Sequence, residues 1–229
     1  ENPGDEDNLF CKIIAYDGIV FFVPFSDANR ENSIPKALNG RINKDNLAKL
    51  YQEKITNWNQ LDLENPLPVE LYKPEEDYLI DSFIKFITKP GKSTTIAGSK
   101  TKFHSMLQNI LQGFEETEQK NKNGGIGFGL LRKVYGQCSV YPLAIDGVPP
   151  LVQNDGEYIT PNIDLCNDKG SYRLNTNYFN SGKYPLRFAI AVIYPSKNTE
   201  GEKFAQMMLS NEGQSLLQEI GLVPARNIY

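Results

Sequence analysis

The chain is poor in the residues that metal and nucleophile chemistry require. It has one histidine, His104, and three cysteines, Cys11, Cys138 and Cys166. No two cysteines form a C-x-x-C pair, so a zinc site lacks both its thiolates and its imidazoles at a workable spacing. With a single His, no nucleophile–base constellation is legible, and the reading is of a protein that is not an enzyme and uses no cofactor. Excess positive charge is lacking too: 24 Lys and Arg stand against 28 Asp and Glu, a net charge of −4. That balance offers no electrostatic footprint for nucleic acid and no basic face for anionic lipid. No apolar run approaches the roughly 20 residues of a membrane-spanning helix. Internal repeats and low-complexity tracts are missing. The one glycine-rich run, Gly124 to Gly129, is neither G-x-G-x-x-G nor a P-loop, and a closely packed strand is the better reading.

What is present suits a globular α/β protein. At 229 residues and 40% hydrophobic, the chain can form one domain or two small lobes. Residues 1–10 are polar and acidic and read as a disordered lead, beginning at Glu1 as a processed product would. Cys11 to Ser26 is nearly all β-branched, aromatic or aliphatic. Tyr16-Asp17-Gly18 breaks it and Pro24 closes it, so it predicts one buried strand or two in line. Residues 32–37 read as a loop. In the stretch Gly40–Leu61, Asn43 or Asp45 can cap a short helix whose Leu47, Leu50 and Tyr51 share one face. Trp58, the only tryptophan, reads as a buried anchor.

Leu67–Tyr72 alternates like a strand. The acidic turn Lys73–Asp77 leads into a helix over Tyr78–Thr88 with Leu79, Phe83, Phe86 and Ile87 on its apolar face. A second helix is predicted over Thr101–Lys120, a strand over Ser139–Ile145, and a long apolar strand over Tyr184–Pro195. A last helix over Glu202–Gln218 should turn Phe204, Met207, Met208, Leu216 and Leu217 inward. The alternation argues for a largely parallel sheet. The two long apolar strands bracket everything between them, the pattern of one lobe inserted into another through a two-strand hinge. Cys138 and Cys166 bracket a Pro-, Gly- and Asn-rich excursion. In an oxidising compartment a disulfide there would stabilise by roughly 3–4 kcal/mol. The alternative is three buried thiols in a reducing one.

Several segments, in order, resemble the PstS-like phosphate-binding proteins of ABC transporters. They are Ile14–Val20, Lys54-Ile55-Thr56-Asn57-Trp58, Gly125-Ile126-Gly127-Phe128, Leu143–Pro150 with its Asp146-Gly147-Val148, Tyr184-Pro185-Leu186, and Leu209–Gln214 with Gly221–Pro224. The resemblance implies a type II periplasmic-binding-protein-like α/β fold. In it, residues 11–24 and the segment from 184 are crossover strands, 25–183 form the inserted lobe, and 184–229 supply the return crossover and the C-terminal part of an incomplete first lobe. It also implies a hinge at Tyr16, Asp17, Gly18, Tyr184, Pro185 and Leu186. The implied setting is periplasmic or cell-surface, with a small anion or other small solute as ligand and an ABC permease or other envelope protein as partner.

The chain departs from the family pattern twice. Nothing before Cys11 supplies the family's opening strand–helix–strand units, so apolar surface should remain, to be covered by self-association or by a piece outside this chain. After Tyr72 the family's Arg-x-x-Gly-Ser-Gly-Thr anion loop is replaced by Lys73-Pro74-Glu75-Glu76-Asp77-Tyr78. Carboxylates close to a phosphate oxygen cost on the order of 1–4 kcal/mol each. Lys73, Asp77 and Tyr78 remain the candidate ligand contacts at that loop. Ser99, Lys100, Thr101 and Lys102, read as a helix start with two cations, form a second candidate anion site. Two functions follow: a solute-binding domain closing about its hinge, or a sensor or protein-interaction domain that keeps the fold without the small-ligand site.

Overall fold

The computed structural model describes residues 8–25, 33–116, 118, 120, 122–163, 165–167 and 170–226. Most of the acidic lead, residues 1–7, lies outside them.

Strand β1 (Leu9–Pro24) is a single 16-residue strand, not two, with one register shift between Ile13 and Ala15. Leu9 and Phe10 therefore belong to a strand and not to a disordered lead, because both pair with residues near position 195. Its second half is fully buried. The expected loop before Gly40 is instead a one-turn helix, α1 (Ile34–Ala37), which Ser33 caps and Pro35 helps to start. Next come β2 (Arg41–Ile42) and α2 (Lys44–Tyr51). Asn43 caps α2 by accepting from the Asn46 N–H, and Leu47, Leu50 and Tyr51 are its buried face. A 3₁₀ turn (Trp58–Leu61) follows, with a reciprocal Asn57/Gln60 cap.

Strand β3 (Val69–Pro74) leads to α3 (Asp77–Ile87), whose buried Leu79, Phe83 and Ile87 recur every four residues. Then come β4 (Ser99–Thr101), α4 (Phe103–Glu115), β5 (Gly124–Leu130) and the short α5 (Leu131–Val134). Strands β6 (Val140–Pro142), β7 (Ala144–Ile145), β8 (Leu151–Gln153) and β9 (Tyr172–Leu174) precede α6 (Thr176–Asn180). Strand β10 (Arg187–Pro195), α7 (Thr199–Met208), α8 (Asn211–Glu219) and β11 (Val223–Pro224) complete the chain.

The main sheet is mixed, with seven strands among the described residues. Its central path is β10-β1-β5-β3-β4, and β6 and β11 also pair with β1. Only the β3–β4 and β3–β5 pairs in it are parallel; every pairing of β1 is antiparallel. The expectation of a largely parallel sheet is corrected accordingly, because β1 runs through the middle against the direction of β5.

Two hydrophobic clusters form on this frame. The larger holds the second half of β1, α1 to α4, β5, β6 and α6, with Phe21, Tyr51, Phe83 and Phe128 in mutual ring contact at 4.8–5.9 Å. The smaller is built on Ile14, Ala15, Leu217 and Leu222. Trp58 is 1% exposed and its indole N–H donates to the Gly124 carbonyl at 2.7 Å. A Cβ at Gly124 would overlap that indole, and one at Gly125 would press on Ile110 of α4. The glycine-rich run is thus the closely packed strand its sequence suggests. Cys138 and Cys166 form a disulfide with their Cα atoms 4.6 Å apart, while Cys11 is free and exposed. Three buried thiols are ruled out.

The C-terminal part departs most from expectation. The single helix over Glu202–Gln218 is two helices, because Ser210 caps a new start by accepting from the Gly213 N–H. After this change of direction Phe204, Met207 and Leu216 are 49–59% exposed; Leu217 alone of the five expected inward residues is fully buried.

Candidate ligand site at the strand carboxyl ends

The parallel strands end at one level. Pro74 of β3 pairs with Thr101 of β4, and Leu71 with Ile126 of β5, so Glu75, Lys102 and Leu131 all leave the sheet on the same side. Antiparallel β1 enters there, because Ile19 faces Leu130 and Asp17 and Gly18 lie just beyond it. Ligands of open α/β sheets bind outside such carboxyl ends.

Three cations and three carboxylates converge at this rim. Arg132 Nη1 lies 2.9 Å from Asp17 Oδ2, Lys133 Nζ 2.7 Å from Glu76 Oε1, and Lys100 Nζ 2.6 Å from Asp77 Oδ1. The short α5 supplies Arg132 and Lys133 directly after β5, and the N-cap and first turn of α3 supply Glu76 and Asp77 respectively. The Phe103 ring at the start of α4 lies 5.9 Å from Lys133 Nζ and 5.8 Å from the Phe22 ring.

The pairs differ in character. Asp17 is fully buried and also accepts from the Gly18 N–H at 2.8 Å and the Arg132 N–H at 3.4 Å. Burial pushes its carboxyl above the usual range, opposed by the Gly18 N–H and by Arg132. The hydrogen bond from Lys133 holds Glu76 below its usual value. Lys100–Asp77 is a solvent-exposed pair of small energetic worth. Gly221, at φ +82°, packs where a Cβ would be 2.8 Å from Arg132 Cα, so the C-terminal tail rests against the same arginine.

The expected site residues are placed as follows. Lys73 turns to the Ile96 carbonyl at 3.1 Å. Asp77 is at the rim, and Tyr78 beside it is 52% exposed. Ser99, Lys100 and Thr101 are not a helix start; they form β4, because this short segment pairs with Tyr72–Pro74. Lys102 is the N-cap of α4 but makes no capping side-chain bond. Of the second candidate anion site, only Lys100 is brought to the rim by a defined contact. The two segments named as a hinge run side by side: Gly18 pairs with Arg187, the Ile19 N–H donates to Leu186 O at 3.1 Å, and the Tyr184 hydroxyl donates to Ile19 O at 2.9 Å. Sequence reasoning missed Arg132 and Lys133. The signal was there: a basic dipeptide one residue after the glycine-rich strand, where a βα turn points its residues at a ligand.

A family model described as a PBP superfamily domain matches residues 4–212. No curated protein matches the chain. Among solved structures, PstS from Borrelia burgdorferi is similar at 15% identity and a TM-score of 0.61, over 99% of this chain and 77% of that one. An ABC-type phosphate transport receptor from Vibrio cholerae is similar at 18% identity and a TM-score of 0.59, over 97% of this chain and 76% of that one. A candidate phosphate ABC transporter substrate-binding protein from Clostridium perfringens, solved with bound phosphate, is similar at 18% identity and a TM-score of 0.60, over 99% of this chain and 76% of that one. These likenesses establish a fold of the type II periplasmic-binding-protein kind. With a family match across most of its length, the chain belongs to the PBP superfamily, on a PstS-like frame.

Proposed function

We propose that this chain is an extracytoplasmic solute-binding-type domain that takes its ligand at the strand carboxyl ends by closure about β1 and β10, and that free phosphate is not that ligand. The observation that carries this reading is the part-buried pairing of Lys133 with Glu76, with the carboxylates of Glu75 and Asp77 beside it and the exposed Lys100–Asp77 pair adding little. An entering phosphate would have to displace carboxylates already 2.6–2.7 Å from the available lysines and then remain beside them. The start of α3 offers it no Ser or Thr hydroxyl and no glycine, only Pro74-Glu75-Glu76-Asp77.

Support for the two-lobe, hinge-closing part comes from the two hydrophobic clusters that share β1, and from Asp17–Arg132 bridging the crossover strand and α5. The Cys138–Cys166 disulfide supports a periplasmic or cell-surface location. The solved relatives are binding proteins, which favours binding over catalysis and makes an ABC permease a reasonable partner. The same closed ion pairs also favour a second reading, a sensor or protein-interaction domain that keeps the fold and has no small-ligand site. Calorimetric titration with inorganic phosphate tests the exclusion that both readings share. Titration with a panel of zwitterionic and neutral solutes separates them, since the first reading requires one saturable ligand.

A further inference from the structure

A second concave surface lies at the other end of the sheet from the rim. It is a depression of about 510 Å³ whose polar lining is Asn39, Arg41, Asn43, Asn46, Asp62 and Asp146. Two landmarks place it. Asp62 ends the 3₁₀ turn whose Trp58 donates to Gly124, the first residue of β5. Lys44 lies 4.8 Å over the ring of Phe86, in the last turn of α3, and the first turn of that helix is at the rim. The strand in its lining, β2, pairs with β7 and not with β1 or β10. A smaller depression of about 120 Å³ adjoins it, sharing Asn39, Arg41 and Gly147, and its wall carries Tyr158, 49% exposed. The buried Tyr141 hydroxyl donates to the Ile159 carbonyl at 2.7 Å and holds that wall. A Cβ at Gly40 would come 2.6 Å from the same hydroxyl, so only glycine lets Asn39 and Arg41 approach it.

Two of the polar groups are fixed in place. Asn43 Oδ1 accepts from the Asn46 N–H at 2.7 Å, and Asp146 Oδ1 from the Lys44 N–H at 2.9 Å. Each keeps a second polar atom, Asn43 Nδ2 and Asp146 Oδ2, without a hydrogen-bond partner among the described residues, and the side chains of Asn39, Arg41, Asn46 and Asp62 are likewise uncommitted there. Of the four non-glycine residues with positive φ among the described ones, three stand here: Asn39, Asp62 and Asp146. Such backbone strain gathers where a site needs its side chains aimed. The set is planar, mixed in donors and acceptors, and holds two carboxylates against one guanidinium. An anion would meet the carboxylates, and an apolar ligand would leave the amides unpaired. A polyol suits it, because each hydroxyl both donates and accepts, and the two-pronged edge of an amide, carboxylate or guanidinium spans a vicinal pair. The exposed Tyr158 ring offers a face for the C–H side of a pyranose. We propose that the joined depressions bind a neutral saccharide, at a site separate from the strand carboxyl ends. The larger depression falls within the ~300–1,000 Å³ of small-ligand sites.

Calorimetry and saturation-transfer NMR on the full chain test this with glucose, galactose, mannose, N-acetylglucosamine, maltose and cellobiose. A glycan array carrying the same sugars as non-reducing ends tells a free sugar from a glycan terminus. At least one of these probes should bind saturably, at or below about 1 mM. The uronate of the sugar that binds should bind more weakly, because it brings a third carboxylate beside Asp62 and Asp146. Arg41→Met and Tyr158→Ala should each weaken binding about tenfold or more. Both side chains are exposed, so both variants should keep the wild-type thermal melt, and each tests the site without the other. Absence of saturable binding on both arms overturns the proposal. So does a uronate that binds as tightly as its neutral parent, or saccharide binding that either variant leaves unchanged, which would put the sugar elsewhere on the molecule.

Discussion

Asp17 Oδ2 accepts a hydrogen bond from Arg132 Nη1 at 2.9 Å, joining two residues 115 positions apart. The aspartate lies midway along the strand that passes through both hydrophobic clusters, and the arginine lies in the turn after the glycine-rich strand. Their pairing fixes where β1 crosses the carboxyl ends of the sheet.

Removing Arg132 leaves a fully buried carboxylate without its cation. Arg132→Ala should therefore destabilise the fold by about 3 kcal/mol at neutral pH, the lower end for a broken buried pair because the guanidinium itself is partly exposed. The sign of the pH dependence follows from Asp17, whose folded-state carboxyl already lies above its unfolded value and would rise further in the variant. A raised acid is favoured while protonated, and that stability is lost as pH climbs through its folded value. The deficit against wild type should shrink on going from neutral pH toward about pH 4. Urea melts at the two pH values check this. Adding Asp17→Asn should recover part of the neutral-pH loss, and an equal deficit at both pH values would show that the buried charge is not the cause.

The Trp58 corner holds β5 through a single polar contact. Trp58→Phe should cost about 1–3 kcal/mol, because the Gly124 carbonyl loses the indole N–H while remaining buried. Gly124→Ala should cost at least as much, since its Cβ would displace the indole from its seat. Thermal denaturation of both variants is the measurement; a neutral Gly124→Ala would mean that β5 can shift away from the 3₁₀ turn.

The disulfide closes an excursion of 28 residues that contains only short strands. Replacing both cysteines by serine should lower stability by roughly 3–4 kcal/mol. The Tyr141 and Tyr172 hydroxyls donate to the Ile159 and Leu165 carbonyls and hold the excursion's second half, so proteolysis should then start within residues 150–163. Limited proteolysis with mass mapping reads both effects.

The fold was legible wherever periodicity and capping acted alone. A cap at Asn43 or Asp45 before Leu47, Leu50 and Tyr51 marked α2, and the structure chooses Asn43; the spacing of Leu79, Phe83 and Ile87 marked α3. The family-like order of segments gave the frame. Legibility stopped where tertiary pairing decides. Ser99-Lys100-Thr101 carries no strand signal of its own and becomes one by lying beside β3. Ser210 looks like any polar residue inside a helix until its hydroxyl accepts from Gly213 and starts a new one. At the rim, Glu76 and Asp77 were visible as an acidic helix start. Their partners, 57 and 23 residues away, were not, because sequence spacing does not encode which loops meet across a sheet.

The central claim is that internal carboxylates occupy the cations an anion would need. Isothermal titration with inorganic phosphate, run on the wild type and on Glu76→Gln/Asp77→Asn, tests it most directly. The wild type should show no saturable phosphate binding in the micromolar range. In the double variant, where Lys133 and Lys100 are released and two negative groups are gone, phosphate affinity should rise at least tenfold. Micromolar or tighter phosphate binding by the wild type, or a double variant that binds more weakly than wild type, would contradict it.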